Sequence, residues 1–201
     1  MERLVLAPGA PWREAAERAA AVLCAGGVAL LPAEGVYGLH ARAEDPEAVA
    51  RLLALKPRAA EKRFIGLIAN PAEIGRWSLP SARASALVLE HWPGALTLVL
   101  RAAAAVPESL RNPEGTIALR CPGVPFLRAV VAGAGGIVLS TSANEPGAPA
   151  LARPFGPIAE RADLIVDQGA LSGTPSTVAL IEGETVRVLR EGAVRLSGRR
   201  P

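Results

Sequence analysis

Short apolar runs alternate with longer stretches of helical periodicity, and glycine and proline punctuate the boundaries. Pro11 to Gly26 reads as a first helix: Pro11 suits the first turn, Ala, Leu and Val positions form one face, and Gly26-Gly27 ends it. Val28 to Leu31 follows as a buried strand and leads into Pro32-Ala33-Glu34-Gly35-Val36-Tyr37-Gly38-Leu39. Asp45-Pro46 is a cap with proline at the first helical position, opening a helix to about Lys56. Phe64 to Ala69 is the next strand, and Asn70-Pro71 and Leu79-Pro80-Ser81 start two more helices. Ala95 to Leu100, Thr116 to Leu119 and Ile137 to Ser140 read as strands, with a helix over Pro125 to Ala132. A short helix over 154–162 precedes strands at 164–166, 177–182 and 185–190, the last two joined by a hairpin turning at Gly183. The pattern predicts an α/β protein, a single-domain open twisted mixed sheet with flanking helices over 1–201.

Half of the 201 residues are hydrophobic but only 3% are aromatic, so the core must be built from Ala, Val, Leu and Ile. The net charge of +3 points only weakly to an anionic partner such as a nucleotide or RNA. Cys24 lies in an Ala-rich helical run and reads as a small core residue. Cys121 has no partner at metal-ligand spacing, and His40 and His91 are isolated, so no zinc or iron cluster is expected. No signal peptide and no bilayer-length apolar run is visible, which predicts a cytoplasmic protein without a membrane partner.

The candidate chemistry sits where strands end. Ile137-Val138-Leu139 runs into Ser140-Thr141-Ser142-Ala143-Asn144 before Pro146-Gly147 breaks the chain. Such a cluster either lines the rim of a sheet, where open α/β sheets hold ligands, or forms a turn satisfying only its own backbone. Lys56, Arg58, Lys62 and Arg63 fall between a helix and a strand; they are a solvated charge run or a set of phosphate contacts stiffened by Pro57. Arg120 and Arg190 each close an apolar strand, and Ser176-Thr177 opens another. No Walker loop, dinucleotide fingerprint or Gly-x-Ser-x-Gly elbow is present.

Taken in order, several blocks resemble the YrdC-like family, the threonylcarbamoyl-AMP synthases of tRNA modification together with a YciO-type branch. They are Leu30 to Leu39, Leu55-Lys56-Pro57-Arg58 with Lys62, Pro93 to Leu100, Arg120-Cys121-Pro122, Ser140 to Asn144, Pro175 to Val178 and Leu189 to Ala193. The resemblance spans about residues 12–195, and Lys56-x-Arg58 and Ser142-x-Asn144 are intact. It implies a concave basic surface on which ATP, L-threonine and bicarbonate give threonylcarbamoyl-AMP and pyrophosphate, with Mg²⁺ assisting. On that resemblance Lys56, Arg58, Lys62, Ser142, Asn144 and Arg190 would hold ATP, with Thr116 or Ile117 nearby. Arg120 would pair with the threonine carboxylate, and Tyr37, Thr141 and Ser176 would share the amino-acid side. Downstream partners would be tRNA-modification proteins and tRNA or other RNA.

The chain also departs from the family's pattern. The usual Pro-Thr-x-Thr-x-Tyr-Gly-Leu is here Pro32-Ala33-Glu34-Gly35-Val36-Tyr37-Gly38-Leu39, Leu67 stands where a His is usual, and Ala150 replaces a common serine. A hydroxyl at 35 and a His at 67 are both expected beside the amino acid, so the nucleotide half reads as preserved and the amino-acid half as eroded. Gly35 could alternatively answer a need for positive φ. The function reads as an ATP-dependent synthase, or a paralogue with an altered amino-acid pocket. A different class, a double-stranded RNA or tRNA binding protein using the same basic concavity without catalysis, fits the charge as well. An unrelated acyl or carbamoyl transferase is the remaining reading.

Overall fold

The computed structural model describes residues 1–7, 9–55, 64–144 and 148–196. Their strands are β1 (Glu2–Val5), β2 (Ala29–Pro32), β3 (Tyr37–Arg42), β4 (Ile65–Leu67), β5 (Leu96–Arg101), β6 (Thr116–Arg120), β7 (Val138–Ser142), β8 (Leu164–Asp167), β9 (Thr177–Glu182) and β10 (Thr185–Arg190). The helices are α1 (Arg13–Cys24), α2 (Pro46–Leu55), α3 (Ile74–Trp77), α4 (Ala82–His91), α5 (Pro125–Ala134) and α6 (Pro157–Glu160). All ten strands form one mixed sheet in the order β1-β8-β2-β3-β7-β4-β6-β5-β9-β10. The expected open, mixed α/β architecture is the observed one.

Local chemistry sets the helix ends. Asp45 Oδ1 accepts the backbone N–H groups of Glu47 and Ala48, so α2 begins where Asp45-Pro46 predicts. The Asn70 and Glu73 side chains form a reciprocal capping box around a 3₁₀ turn at Pro71–Glu73, which passes directly into α3. Ser81 Oγ caps α4 through Ala84 N–H.

Two apolar clusters cover the faces of the sheet unequally. One spans nearly all the strands, from Leu30, Tyr37, Leu39 and Leu139 through Leu98 and Leu119 to Ala179 and Val186. Side chains of α2, α3, α4 and α6 pack on it. The second covers only part of the opposite face, where Ala15, Ala16, Ala19 and Leu23 of α1 and Phe126, Leu127, Val130 and Val131 of α5 lie on β8, β2, β7 and β4. Strands β6, β5 and β9 contribute nothing to this second cluster. On β9 the burial alternates, with Thr177, Ala179 and Ile181 buried and Val178, Leu180 and Glu182 more open. Among the described residues no helix packs on the other half of the second face. Thr97, Val99, Arg120 and Ser176 are buried there among polar and strand neighbours, while Val178 and Leu180 are partly open, and we call this half the platform.

Cys24 does not pack in the core: it is exposed, with Sγ near the carbonyls of Gly133 and Ala134 at the end of α5. Cys121 is buried, and burial pushes its thiol up to about 11. Among the described residues no helix is long and apolar enough to cross a membrane.

Candidate active site

Register decides which polar residues reach the platform. Leu98 pairs with Leu119 and Arg101 with Thr116, which puts the core-facing leucines together and leaves Thr97, Val99 and Arg101 beside Thr116, Ala118 and Arg120. Arg190 reaches this face through a β-bulge. Val188 pairs with Ala179 on the core side, yet Arg190, not Leu189, pairs with Val178. The extra residue turns Arg190 onto the platform, where unbroken alternation would aim it at the core.

Arg190 then wraps Ser176. Its Nε and Nη2 donate to the Ser176 carbonyl at 3.1 and 2.8 Å, and Nη2 donates to Ser176 Oγ at 3.1 Å. Ser176 Oγ also shares a hydrogen bond of 2.9 Å with buried Thr97 Oγ1. The segment behind them is packed without slack. A Cβ on Gly192 would lie 2.4 Å from the Pro175 carbonyl oxygen, Ala193 N–H donates to that oxygen at 3.0 Å, and Thr177 Oγ1 donates to the Val194 carbonyl. The Glu191-Gly192-Ala193 block thus earns its place by close backbone approach.

Arg120 is almost fully buried, and its one ion pair among the described residues is with Glu34, Nη1 to Oε2 at 3.3 Å. Its Nε and the Glu34 Oε2 atom are both buried without a hydrogen-bond partner. Glu34 Oε1 is anchored by the Gly123 backbone N–H at 2.7 Å. Gly123 in turn lies against Gly94, whose N–H donates to the Cys121 carbonyl at 2.9 Å, so the Pro93-Gly94 turn braces the Arg120 loop. Burial lowers the Arg120 pKa from its ordinary value while the Glu34 charge opposes that. Arg190 is lowered by desolvation and then by the Arg120 charge, which places the two guanidinium groups in one field. His40 faces Ser140 across the β3–β7 pair, with Nε2 and Oγ 3.3 Å apart. Complete burial, then the nearby Arg120 charge, drops its pKa to about 3, so this imidazole is neutral.

The expected site residues divide into groups. Arg120, Arg190 and Ser176 come together. Ser142 follows Ser140 on the same side of β7; its Oγ donates to Asn144 Oδ1 at 2.7 Å, and Asn144 Nδ2 donates to the Ala148 carbonyl at 2.8 Å. Thr116 takes the Asn112 amide at 2.8 Å and lines a cleft of about 940 Å³ with Val99, Arg101, Leu180 and Arg187. It lies on the same platform as Arg120 but at the opposite end of β6, about 13 Å away. Lys56, Arg58 and Lys62 lie outside the described residues.

Tyr37 and Thr141 are not brought to this platform. Both belong to the face covered by α2, α4 and α6: Tyr37 joins that apolar cluster, and Thr141 pairs with Leu39 of the same cluster. The Tyr37 hydroxyl donates to the Gly169 carbonyl at 2.8 Å and accepts the Gln168 N–H at 2.9 Å, which makes it a latch for the 168–175 loop. Burial is the first cause raising its pKa. Thr141 Oγ1 is buried with no hydrogen-bond partner.

The two substituted positions also read differently in three dimensions. Gly35 is not among the glycines with positive φ; a Cβ there would lie 1.9 Å from the Thr174 carbonyl oxygen and 2.8 Å from Ser172 Oγ. Space, not backbone freedom, excludes a side chain. Leu67 is in register with Arg120 but fully buried in the α1–α5 cluster, so it contributes packing at the floor of the platform. Sequence reasoning missed Glu34, Thr97 and His40. Nothing local in the sequence marks them, because each acquires its role from a partner distant in the chain.

The protein is an open, mixed α/β sheet whose second face carries guanidinium groups beside hydroxyls where α1 and α5 do not pack. Residues 21–192 match the model of the Sua5/YciO/YrdC family, described as "telomere recombination", and the chain belongs to that family. It is 34% identical over 180 residues to a threonylcarbamoyl-AMP synthase of Halorhodospira halophila, covering 86% of this chain and 92% of that one. Its structure resembles E. coli YciO with a TM-score of 0.88 at 27% identity, covering 98% of both chains. It also resembles P. abyssi Sua5 complexed with L-threonine, with a TM-score of 0.87 at 27% identity; 96% of this chain covers 58% of that longer protein.

Proposed function

We propose that this chain is an ATP-dependent threonylcarbamoyl-AMP synthase of tRNA threonylcarbamoyl-adenosine modification, acting in the cytoplasm as one domain over 1–201. The observation that carries the reading is the nearly buried Arg120 guanidinium, whose Nε has no hydrogen-bond partner, on the sheet face it shares with Arg190, Ser176 and Thr97. A desolvated guanidinium with spare donors binds a carboxylate by charge-assisted hydrogen bonds, which fits L-threonine. The cleft bearing Thr116, Arg101 and Arg187 at the far end of β6, with Ser142 and Asn144 and with Lys56, Arg58 and Lys62, would take ATP. The reaction asks for placement and charge compensation: the neutral amine adds to carbon dioxide and gives up a proton, or attacks the carbonyl carbon of bicarbonate with loss of water. A carbamate oxygen then attacks the α-phosphorus as its bond to the β-phosphate oxygen breaks and pyrophosphate leaves. Among the described residues no three His, Cys, Asp or Glu side chains gather to hold a metal ion, so Mg²⁺ would arrive on the phosphates of ATP.

The test is pyrophosphate release from ATP, measured with and without L-threonine and bicarbonate. Release that requires both supports the synthase; release indifferent to threonine overturns it. The close match to E. coli YciO favours a second reading, a paralogue sharing the ATP half with a different amino acid. In that case another L-amino acid replaces threonine in the same assay. Binding of double-stranded RNA or tRNA on the same cationic face is a separate reading. It would appear as affinity that falls steeply with salt and flattens when Arg101 and Arg187 are replaced by Ala.

A further inference from the structure

Glu34 and Arg120 stand in an unusual relation for a buried pair. Their charges are 3.3 Å apart, yet neither Glu34 Oε2 nor Arg120 Nε makes a hydrogen bond, and both atoms are buried. Glu34 is fixed from behind by the Gly123 N–H on its other oxygen, so Oε2 has a defined position. The site therefore offers one immobilised anion and one immobilised cation side by side, each with unused hydrogen-bonding capacity. An α-amino acid carries the complementary pattern, an ammonium and a carboxylate separated by a single carbon. A ligand with only a carboxylate would satisfy Arg120 but meet repulsion from Glu34.

We propose that Glu34 and Arg120 form a two-ended receptor for a zwitterionic α-amino acid, in which Glu34 Oε2 accepts the substrate ammonium while Arg120 takes its carboxylate. The assignment rests on the reading that this platform binds an amino acid, and makes Glu34 the residue that selects for the amine. In the free protein the two side chains neutralise each other; on binding, each exchanges its partner for the matching end of the ligand. The pocket thereby rejects both amines without a carboxylate and carboxylates without an amine.

The experiment compares L-threonine with 3-hydroxybutanoate, the same skeleton lacking the amine, by calorimetry in the presence of an ATP analogue that cannot release pyrophosphate. Glu34→Gln keeps the shape and the bond to Gly123 but removes the charge. Threonine affinity is expected to fall roughly tenfold to a hundredfold, the scale of one charge-assisted hydrogen bond, while 3-hydroxybutanoate binds equally or more tightly. Equal losses for both ligands would show that Glu34 only positions Gly123 and Arg120, and unchanged threonine affinity would equally overturn the proposal. If Glu34→Gln does not fold, as a melting curve reveals, the wild type decides: at least tenfold preference for threonine supports the receptor, and equal affinity refutes it. Wild-type protein that binds no L-amino acid sinks the amino-acid reading along with this proposal. Threonine-dependent pyrophosphate release combined with parallel losses in Glu34→Gln sinks the proposal alone.

Discussion

Adding a single methyl at Gly35 should damage both the fold and the site. The ideal Cβ lies 1.9 Å from the Thr174 carbonyl oxygen, and Gly173 N–H donates to the Gly35 carbonyl at 2.7 Å. Gly35 has an ordinary φ, so replacement by Ala would otherwise gain about 0.4–1 kcal/mol from the unfolded chain. Against that stands overpacking at roughly 1–3 kcal/mol and loss of the Gly173 hydrogen bond at about 0.5–1.5 kcal/mol. The obstacle is backbone, which cannot rotate aside as a side chain can, so the net expectation is about 2–4 kcal/mol of destabilisation. For a chain of this length that lowers the melting temperature by roughly 5–15 °C. The displaced 172–175 segment leads directly into Ser176, which Arg190 grips, so threonine use should fall as well. Gly35→Thr, a change that would restore the family's hydroxyl, should be worse than Gly35→Ala. Thermal unfolding followed by circular dichroism measures the effect. A Gly35→Ala variant melting within about 2 °C of the wild type would refute the steric argument.

Further outcomes follow from individual side chains. Arg120→Ala leaves Glu34 without its counter-charge and removes the carboxylate partner, so kcat/KM for the amino acid should drop roughly a hundredfold, about 3 kcal/mol; unaltered kinetics would remove Arg120 from the site. The folded-state pKa of His40 is about 3, below its ordinary 6.5. The unfolded chain therefore binds the extra proton between these values, and stability present above pH 6.5 is lost as pH falls toward 3, by up to about 1.4 kcal/mol per pH unit. Urea titrations at pH 7 and 4.5 should show that loss in the wild type and a shallower one in His40→Gln; equal slopes would contradict the assignment. Tyr37→Phe frees the Gln168 N–H and Gly169 carbonyl from the 168–175 loop, costing about 1–3 kcal/mol in denaturant titration, and an unchanged midpoint would show that the latch is idle.

Much of the architecture was legible because apolar runs and capping residues are local signals. The strands at 96–101, 116–120, 177–182 and 185–190 and the start of α2 at Asp45-Pro46 fall where pattern and caps place them. Two strands escaped. Glu2–Val5 lies at the sheet edge with alternating exposure, and Tyr37–Arg42 is interrupted by Gly38, His40 and Arg42. Gly38 sits in that strand because a Cβ would crowd His40 Cε1 at 2.9 Å and the Thr141 carbonyl oxygen at 3.2 Å, a tertiary reason with no local mark. Arg190 shows the limit most clearly. Period-two alternation from Val186 and Val188 assigns it to the core face, and only the bulge at Leu189 turns it outward. Tyr37 and Thr141 illustrate the opposite limit. The family resemblance made them candidates for the amino-acid side, and strand register, which it does not convey, turns both to the face packed by the helices.

The energetics of the Glu34–Arg120 pair bear on how the site would work once the pair opens to a ligand. Removing two charges from water costs several kcal/mol per ion, and their mutual attraction offsets this well only when the remaining donors and acceptors are also satisfied. Here they are not: an Nε and an Oε2 stay unbonded in the interior. As a device for stability the pair is poor, and apolar side chains of similar volume would serve the fold better. For binding, the same defect is an advantage. The desolvation has already occurred during folding, so an incoming zwitterion meets charges that need not shed water, in surroundings that strengthen each new hydrogen bond. The Pro93-Gly94 turn, the Gly123 N–H and the buried Leu67 floor hold both charges in position before the ligand arrives. Folding energy is thereby converted into preorganisation, and the part of the sheet on which α1 and α5 do not pack is where that conversion can be used.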